Sequence, residues 1–230
     1  MMKILLLSAV AAVALGVAGT AHASTISIGT SLNAGAITTQ ASGATPGPVT
    51  FSGPFGAYNL DTVSGIDPTA TSLDSDSINA TATGTKDTLN IFVSVSDITA
   101  FSGLVQALSG LTVNLLTPGW TVTESTFEDN SNKVFGTTAN SLTAIQLATH
   151  TFTSGPDTFT LLTPVSVTAP FSVTEEFVVN SNGLSGAAND TIDLSGTVPE
   201  PATWAMLGLG FAGMGLLGLA RRRKNSRYAF

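Results

Sequence analysis

The chain has no cysteine among its 230 residues, which excludes thiol catalysis, zinc–thiolate sites and iron–sulfur clusters and leaves any core to stand without disulfides. Basic residues are nearly absent from its interior. Of the 8 lysines and arginines, Lys3 lies near the start and Arg221, Arg222, Arg223, Lys224 and Arg227 near the end, so only Lys86 and Lys133 remain between. The acids are placed the other way, with all but Glu200 of the 15 falling between Asp61 and Asp193. So acidic a stretch does not suit nucleic acid, whose phosphates need clustered bases, and is better matched to cations or to neutral and cation-bridged glycans. No apolar period of 3.6 runs for a useful length through this region, which argues against a helical body.

What is present at the two ends is apolar and ordered by charge. Met1 to Ala23 reads as a secretory signal. Lys3 supplies the positive segment, Ile4 to Val17 the apolar one, and Ala21-His22-Ala23 the small residues before a cleavage expected after Ala23. The apolar run is shorter than the ~20 residues that span a bilayer. Near the other end, Trp204 to Ala220 carries no charged side chain and reads as a transmembrane helix of ~25 Å. Trp204 is an interfacial aromatic at one edge. Arg221, Arg222, Arg223 and Lys224 at the other place that edge, and the short tail 225–230, in the cytoplasm. The region between the two apolar segments is therefore expected outside, and both signals predict the same topology. Gly208 and Ala212 have the spacing of a helix-packing pair, while the many glycines also suit a segment that an intramembrane enzyme could unwind and cut.

Just outside that span stands Pro199-Glu200-Pro201, which can be neither helix nor central strand and so presents an extended acidic tripeptide at the membrane surface. Together with Ala202-Thr203-Trp204-Ala205-Met206, Leu209-Gly210-Phe211-Ala212-Gly213 and the arginines, it resembles the PEP-CTERM sorting signal in its PEPxxWA form. The resemblance covers residues 198–224. It implies delivery by signal peptidase and then cutting near Pro199-Glu200-Pro201 by exosortase, a membrane transpeptidase-like enzyme of bacteria that make exopolysaccharide. The implied address is transiently the inner membrane and finally the cell surface or medium. It implies nothing about chemistry in the body.

That body, Ser24 to Thr197, is long enough to bury ~70% of the surface of its unfolded chain in one domain. Short runs rich in Val, Thr and Ser, set off by turn residues, predict an all-β fold, a single β-sandwich of short antiparallel strands. Leu89, Ile91, Val93 and Val95 alternate with Asn90, Phe92, Ser94 and Ser96 as in a half-buried strand. Further strands are expected at 25–28, 49–52, 111–117, 120–125, 144–153, 158–162, 171–179 and 191–194. Pro54, Pro68, Pro118, Pro156, Pro164 and Pro170 fall between them in this reading. Residues 101–108 suggest a helical turn or two, and 34–48 and 180–189 read as loops.

Candidate sites are few. His150 is the one histidine left after signal cleavage, so a Ser-His-Asp hydrolase would have to use it; the plainer role is a packed strand residue. Glu175 and Glu176 are adjacent on a strand and must point to opposite faces, so they do not form a glycosidase pair. Asp74 with Asp76, and Glu124 with Glu128 and Asp129, supply hard oxygens of the kind calcium takes, though without a calcium-loop motif. Trp120 and Tyr58 could stack on a sugar or fill the core. The Thr-x-Thr run at 79–85 lacks the repeats an ice-binding array would need. The leading expectation is a noncatalytic surface protein, structural or adhesive and associated with exopolysaccharide. The alternatives are a secreted hydrolase of polysaccharides or esters and a calcium-dependent binding module.

Overall fold

Alternation of small polar and β-branched residues carries through into twelve strands, with no helix among the described residues, in a computed structural model that describes residues 24–69, 72–100 and 102–197. For 62–69 and 74–77 it describes the backbone only. The signal peptide with its Ala23 cleavage site lies outside the described residues. So does the sorting tail with Pro199, Glu200, Pro201, Trp204, Arg221, Arg222, Arg223 and Lys224.

The strands are β1 (Thr25–Leu32), β2 (Thr38–Ala44), β3 (Val49–Phe55), β4 (Tyr58–Thr69), β5 (Ser72–Thr83) and β6 (Thr88–Ile98). They continue as β7 (Gly103–Leu116), β8 (Thr121–Asp129), β9 (Ala144–Phe152), β10 (Asp157–Val167), β11 (Phe171–Asn180) and β12 (Ser185–Thr197). All pair antiparallel, in one six-stranded sheet of order β2-β1-β6-β11-β8-β9 and a second of order β10-β7-β12-β5-β4-β3. Between the sheets lies one core. Ile26, Ile28, Ile91, Val93, Val95 and Phe177 come from the first sheet and Leu60, Ile78, Leu111, Val113, Ile192 and Leu194 from the second.

Odd- and even-numbered strands alternate in direction within each sheet and most connections cross between the sheets, so the loops divide between two ends. Both flanks of the domain, Ser24 and Thr197, emerge at the end that carries loops 45–48, 130–143 and 168–170, here called the tail end. Loops 33–37, 56–57, 84–87, 117–120, 153–156 and 181–184 form the far end.

The structure corrects several local expectations. Residues 34–48 hold the strand β2, built of small polar residues whose pairing with β1 outweighs their turn propensity. The suspected helical turn is the first half of β7 from Gly103 onward, zipped between β10 and β12; Phe101 lies outside the described residues. The second loop shrinks to 181–184 as β12 begins at Ser185. The stretch 58–83, for which the sequence predicts no strand, forms the hairpin of β4 and β5. Three prolines expected between strands lie within them. Pro54 and Pro164 sit on the edge strands β3 and β10, where a missing amide breaks no ladder, and Pro68 lies on β4 beyond the last residue paired to β3.

The strand expected to be half-buried, β6, is buried on both faces. Its outward Phe92 is covered by Phe135 from the long loop 130–143, with ring centroids 6.0 Å apart. Phe135 adopts a left-handed φ of 57°, unfavourable for an aromatic residue, and its amide donates to Ser94 Oγ at 3.2 Å. The Ser172 hydroxyl reaches back to the Lys133 carbonyl at 2.7 Å. Gly29 on β1 makes the fit possible, since a Cβ there would stand 2.7 Å from the Phe135 ring. Phe135→Ala is expected to cost ~3 kcal/mol or more and to expose the loop to protease. Thermal melting and limited proteolysis measure both effects; an uncleaved loop would mean that its hydrogen bonds alone hold it down.

Candidate functional site

Strand alternation decides where each acid goes. On β8, Val122, Glu124, Thr126 and Glu128 share the inward face, and on β12 Ala188, Asp190, Ile192 and Leu194 do so. Two carboxyls from opposite sheets therefore enter the core. Glu124 and Asp190 are both 0% exposed, and none of their four oxygens makes a hydrogen bond of ordinary geometry. Burial, and then the Asp190 charge, push the Glu124 carboxyl up to about 9, opposed by the backbone amide of Thr112 on β7. Burial pushes Asp190 up to about 8. Both are acids that hold their protons at neutral pH, which is the inexpensive form for a carboxyl in an apolar interior. Beside them Ser109 and Thr126 join the two sheets by a hydroxyl pair at 2.7 Å.

Nearer the tail end, Glu128 closes an apolar cavity of about 40 Å³ between the sheets. Its Oε1 has no hydrogen-bond partner, while Asn130 Nδ2 donates to Oε2 at a long 3.4 Å. Burial first, and the neighbouring Asp129 charge second, raise Glu128 to about 7. An unpaired acceptor in such a place costs ~1–3 kcal/mol. Asp129 points to the opposite face and organises the long loop. Burial pushes its carboxyl up, but donors on Ser141, Thr143 and Ser131 outweigh that and hold it below the ordinary value. Among them, both the amide and hydroxyl of Ser131 donate to Oδ1 at 2.8 Å.

The calcium candidates therefore do not share one site. Glu124 and Glu128 are separated by ~13 Å of strand, and Asp129 faces away from both. Asp74 and Asp76 lie on β5, with the Asp74 backbone across from Asp193, and their side chains are outside the described residues. Among the described residues no three acidic or histidine side chains come together to hold a metal ion.

His150 lies opposite Glu124 in the β8–β9 register, but its ring is taken up by aromatics. It stacks on Phe159 at 4.6 Å and meets Phe152 edge-on at 4.7 Å. Glu175 points inward and is buried, whereas Glu176 faces outward, accepts from Asn90 Nδ2 at 3.3 Å and is raised by burial. The pair thus takes opposite faces, as strand alternation requires. Trp120 and Tyr58 are both core residues, edge-to-face at 6.4 Å, so neither ring is offered to a sugar. Thr81 and Thr83 form no more than a short outward pair on β5.

The far end is held rigidly by bonds between its loops. Asn33 Nδ2 donates to Asp87 Oδ1 and the Thr88 amide donates to Asn33 Oδ1, each at 2.9 Å. The Asn33 and Thr85 donors hold Asp87 below the ordinary carboxylate value. Asn182 Nδ2 donates to the Gly119 carbonyl at 2.7 Å, and the Gly183 amide to the Thr85 carbonyl at 2.8 Å. Along the outer face of β8 and β9, hydroxyls pair across the strands, Thr123 with Thr151 and Ser125 with Thr149, each at 2.8 Å.

Sequence reasoning misses Asp190 and the burial of Glu124. The signal is there in Val122-x-Glu124-x-Thr126 and Ala188-x-Asp190-x-Ile192, where an acid occupies an apolar register. What the fold defines is a class, an all-β, sandwich-like domain of two antiparallel sheets. The chain matches no protein-family model, and comparison with curated proteins finds no match.

Proposed function

We propose that the chain is an exported, surface-sorted and noncatalytic protein, a structural or adhesive component associated with exopolysaccharide. In this reading the signal peptide ends at Ala23, a single sandwich domain spans 24–197, and exosortase processes the tail at Pro199-Glu200-Pro201. The observation that supports it is the polarity of the fold. Both flanks leave from one end, and the opposite end is a set of loops fixed to one another by hydrogen bonds. A domain held at the membrane or cell surface by its C-terminal side would present that rigid end, and the hydroxyl-lined face of β8 and β9, away from the anchor. The last strand also suits a tethered protein. β12 is bonded to β5 on one side and β7 on the other along most of its length, so tension on the tail would load many backbone bonds in shear at once.

The test is binding of the purified chain to the exopolysaccharide of its own producer, with and without added calcium. Saturable binding at physiological salt is expected, undiminished in His150→Ala because no part of the reading uses that ring for catalysis. No binding in either condition would overturn the adhesive role, and hydrolysis lost in His150→Ala would replace it with an enzyme.

A further inference from the structure

The cavity at the tail end is more than a packing defect. Its walls come from both sheets, Val95 and Leu147 from one and Leu73, Val105 and Val165 from the other, and they are almost wholly apolar. Of the polar side chains that line that space, Ser72 and Ser195 are half-buried and Glu128 alone is buried. Glu128 is 1% exposed, and its Oε1 makes no hydrogen bond. The polar groups next to Glu128 in the chain are turned elsewhere: Asp129 Oδ1 accepts from Ser131 and Thr143 on the opposite face, and Asn130 donates to the Ser166 carbonyl at 3.1 Å. A concave apolar site with a single convergent polar atom is the usual form of a small-molecule site, in which the apolar walls bind and the polar atom orients.

We propose that this cavity is a binding site for a small molecule with an apolar body of a few carbons and one hydrogen-bond donor, which is given to Glu128 Oε1. The ligand class follows from the lining. A carboxyl oxygen without a donor selects an alcohol or an amine and disfavours an acid, which would bring a second acceptor into the same space. The size of the space, about 40 Å³, limits the apolar part to a short chain, since the engineered apolar cavity that takes benzene is larger, at about 150 Å³. Such a site is independent of the display role.

The experiment uses the full chain in phosphatidylcholine nanodiscs with labelled Leu and Val methyls, titrated with n-butylamine, n-butanol and butanoate against empty nanodiscs. Saturable shifts confined to the methyls that line the cavity, those of Leu73, Val95, Val105, Leu147 and Val165 among them, are expected with the amine, the alcohol or both, and not with butanoate. Glu128→Met, which keeps the bulk and removes the acceptor, is expected to weaken binding by about tenfold or more. Ala107→Leu fills the cavity, leaves Glu128 in place, and is expected to abolish binding even if the first variant fails to fold. Absence of saturable shifts with the amine and the alcohol, equal binding of butanoate, or binding unchanged in either folded variant would overturn the proposal.

Discussion

Replacing Glu124 with Gln and Asp190 with Asn together is expected to raise the melting temperature at pH 8 by about 5–10 °C and to flatten its dependence on pH. Both folded carboxyls lie well above their unfolded values, about 9 against 4.5 for Glu124 and about 8 against 3.8 for Asp190. Below about pH 4 the folded and unfolded chains both hold these protons, so the two groups leave stability whole. As pH rises the unfolded chain ionises while the folded one does not, and each group removes ~1.4 kcal/mol per pH unit until its folded form also titrates. The loss accumulates between about pH 4 and 9, and the contributions of the two groups add. The amides keep shape and volume and cannot ionise, although each still buries polar atoms, so the gain is smaller than the loss it removes. Asp87 and Asp129 act in the opposite sense, since both are held below 3.8 and lose their contribution only as pH falls through that range. Melting followed by circular dichroism from pH 4 to 9 tests this. A wild-type midpoint that rises steadily across the range, or a double variant less stable than wild type at pH 8, would show that the pair is ionised and held by partners.

Trp120→Ala is expected to destabilise the domain by ~3–5 kcal/mol, lowering the melting temperature by ~10 °C or more. The side chain is 0% exposed, its Nε1 donates to the Leu184 carbonyl at 3.2 Å, and its ring meets Tyr58 edge-on. Tyr58 in turn donates its hydroxyl to the Asp87 carbonyl at 2.7 Å and accepts from the Ser181 amide at 3.3 Å. Truncating Trp120 would empty the space beneath the far end and loosen the loops 84–87, 117–120 and 181–184 together. A stacking platform for sugar would behave in the reverse way, with glycan binding lost and the melting temperature unchanged. Measuring both quantities on the same variant separates the two roles.

Much of the strand pattern is legible in the amino-acid sequence, because alternation records which side of a strand faces apolar surroundings. The segment from Leu89 to Ser96 is a clear example for its strand and its inward face, though not for its outer one, and the strands near 111–117 and 171–179 follow in the same way. The failures have one cause. β2 and the β4–β5 hairpin are built largely from Thr, Ser, Gly and Ala, residues whose local preferences are weak or those of turns, and they become strands only because a neighbour offers a ladder to complete. The burial of Phe92 depends on Phe135, which follows it by more than forty residues, so no local window could show it.

The interior acids make the same point for the site. In sequence Glu124 and Glu128 look like members of a single oxygen cluster with Asp129, because closeness along the chain is the only measure of closeness there. A strand separates them: odd steps change the face, and four residues are already too far apart for one ion. By itself the sequence determined the all-β class, the acidity of the body and the absence of thiol chemistry, since these follow from composition and from the period of two. The tertiary structure alone decided that Glu124 and Asp190 enter one core from opposite sheets, that Glu128 lines an apolar cavity and that His150 packs against Phe152 and Phe159. Each of those facts depends on which sheets pack together and in which register, and pairing energy between distant strands leaves no trace in any one of them.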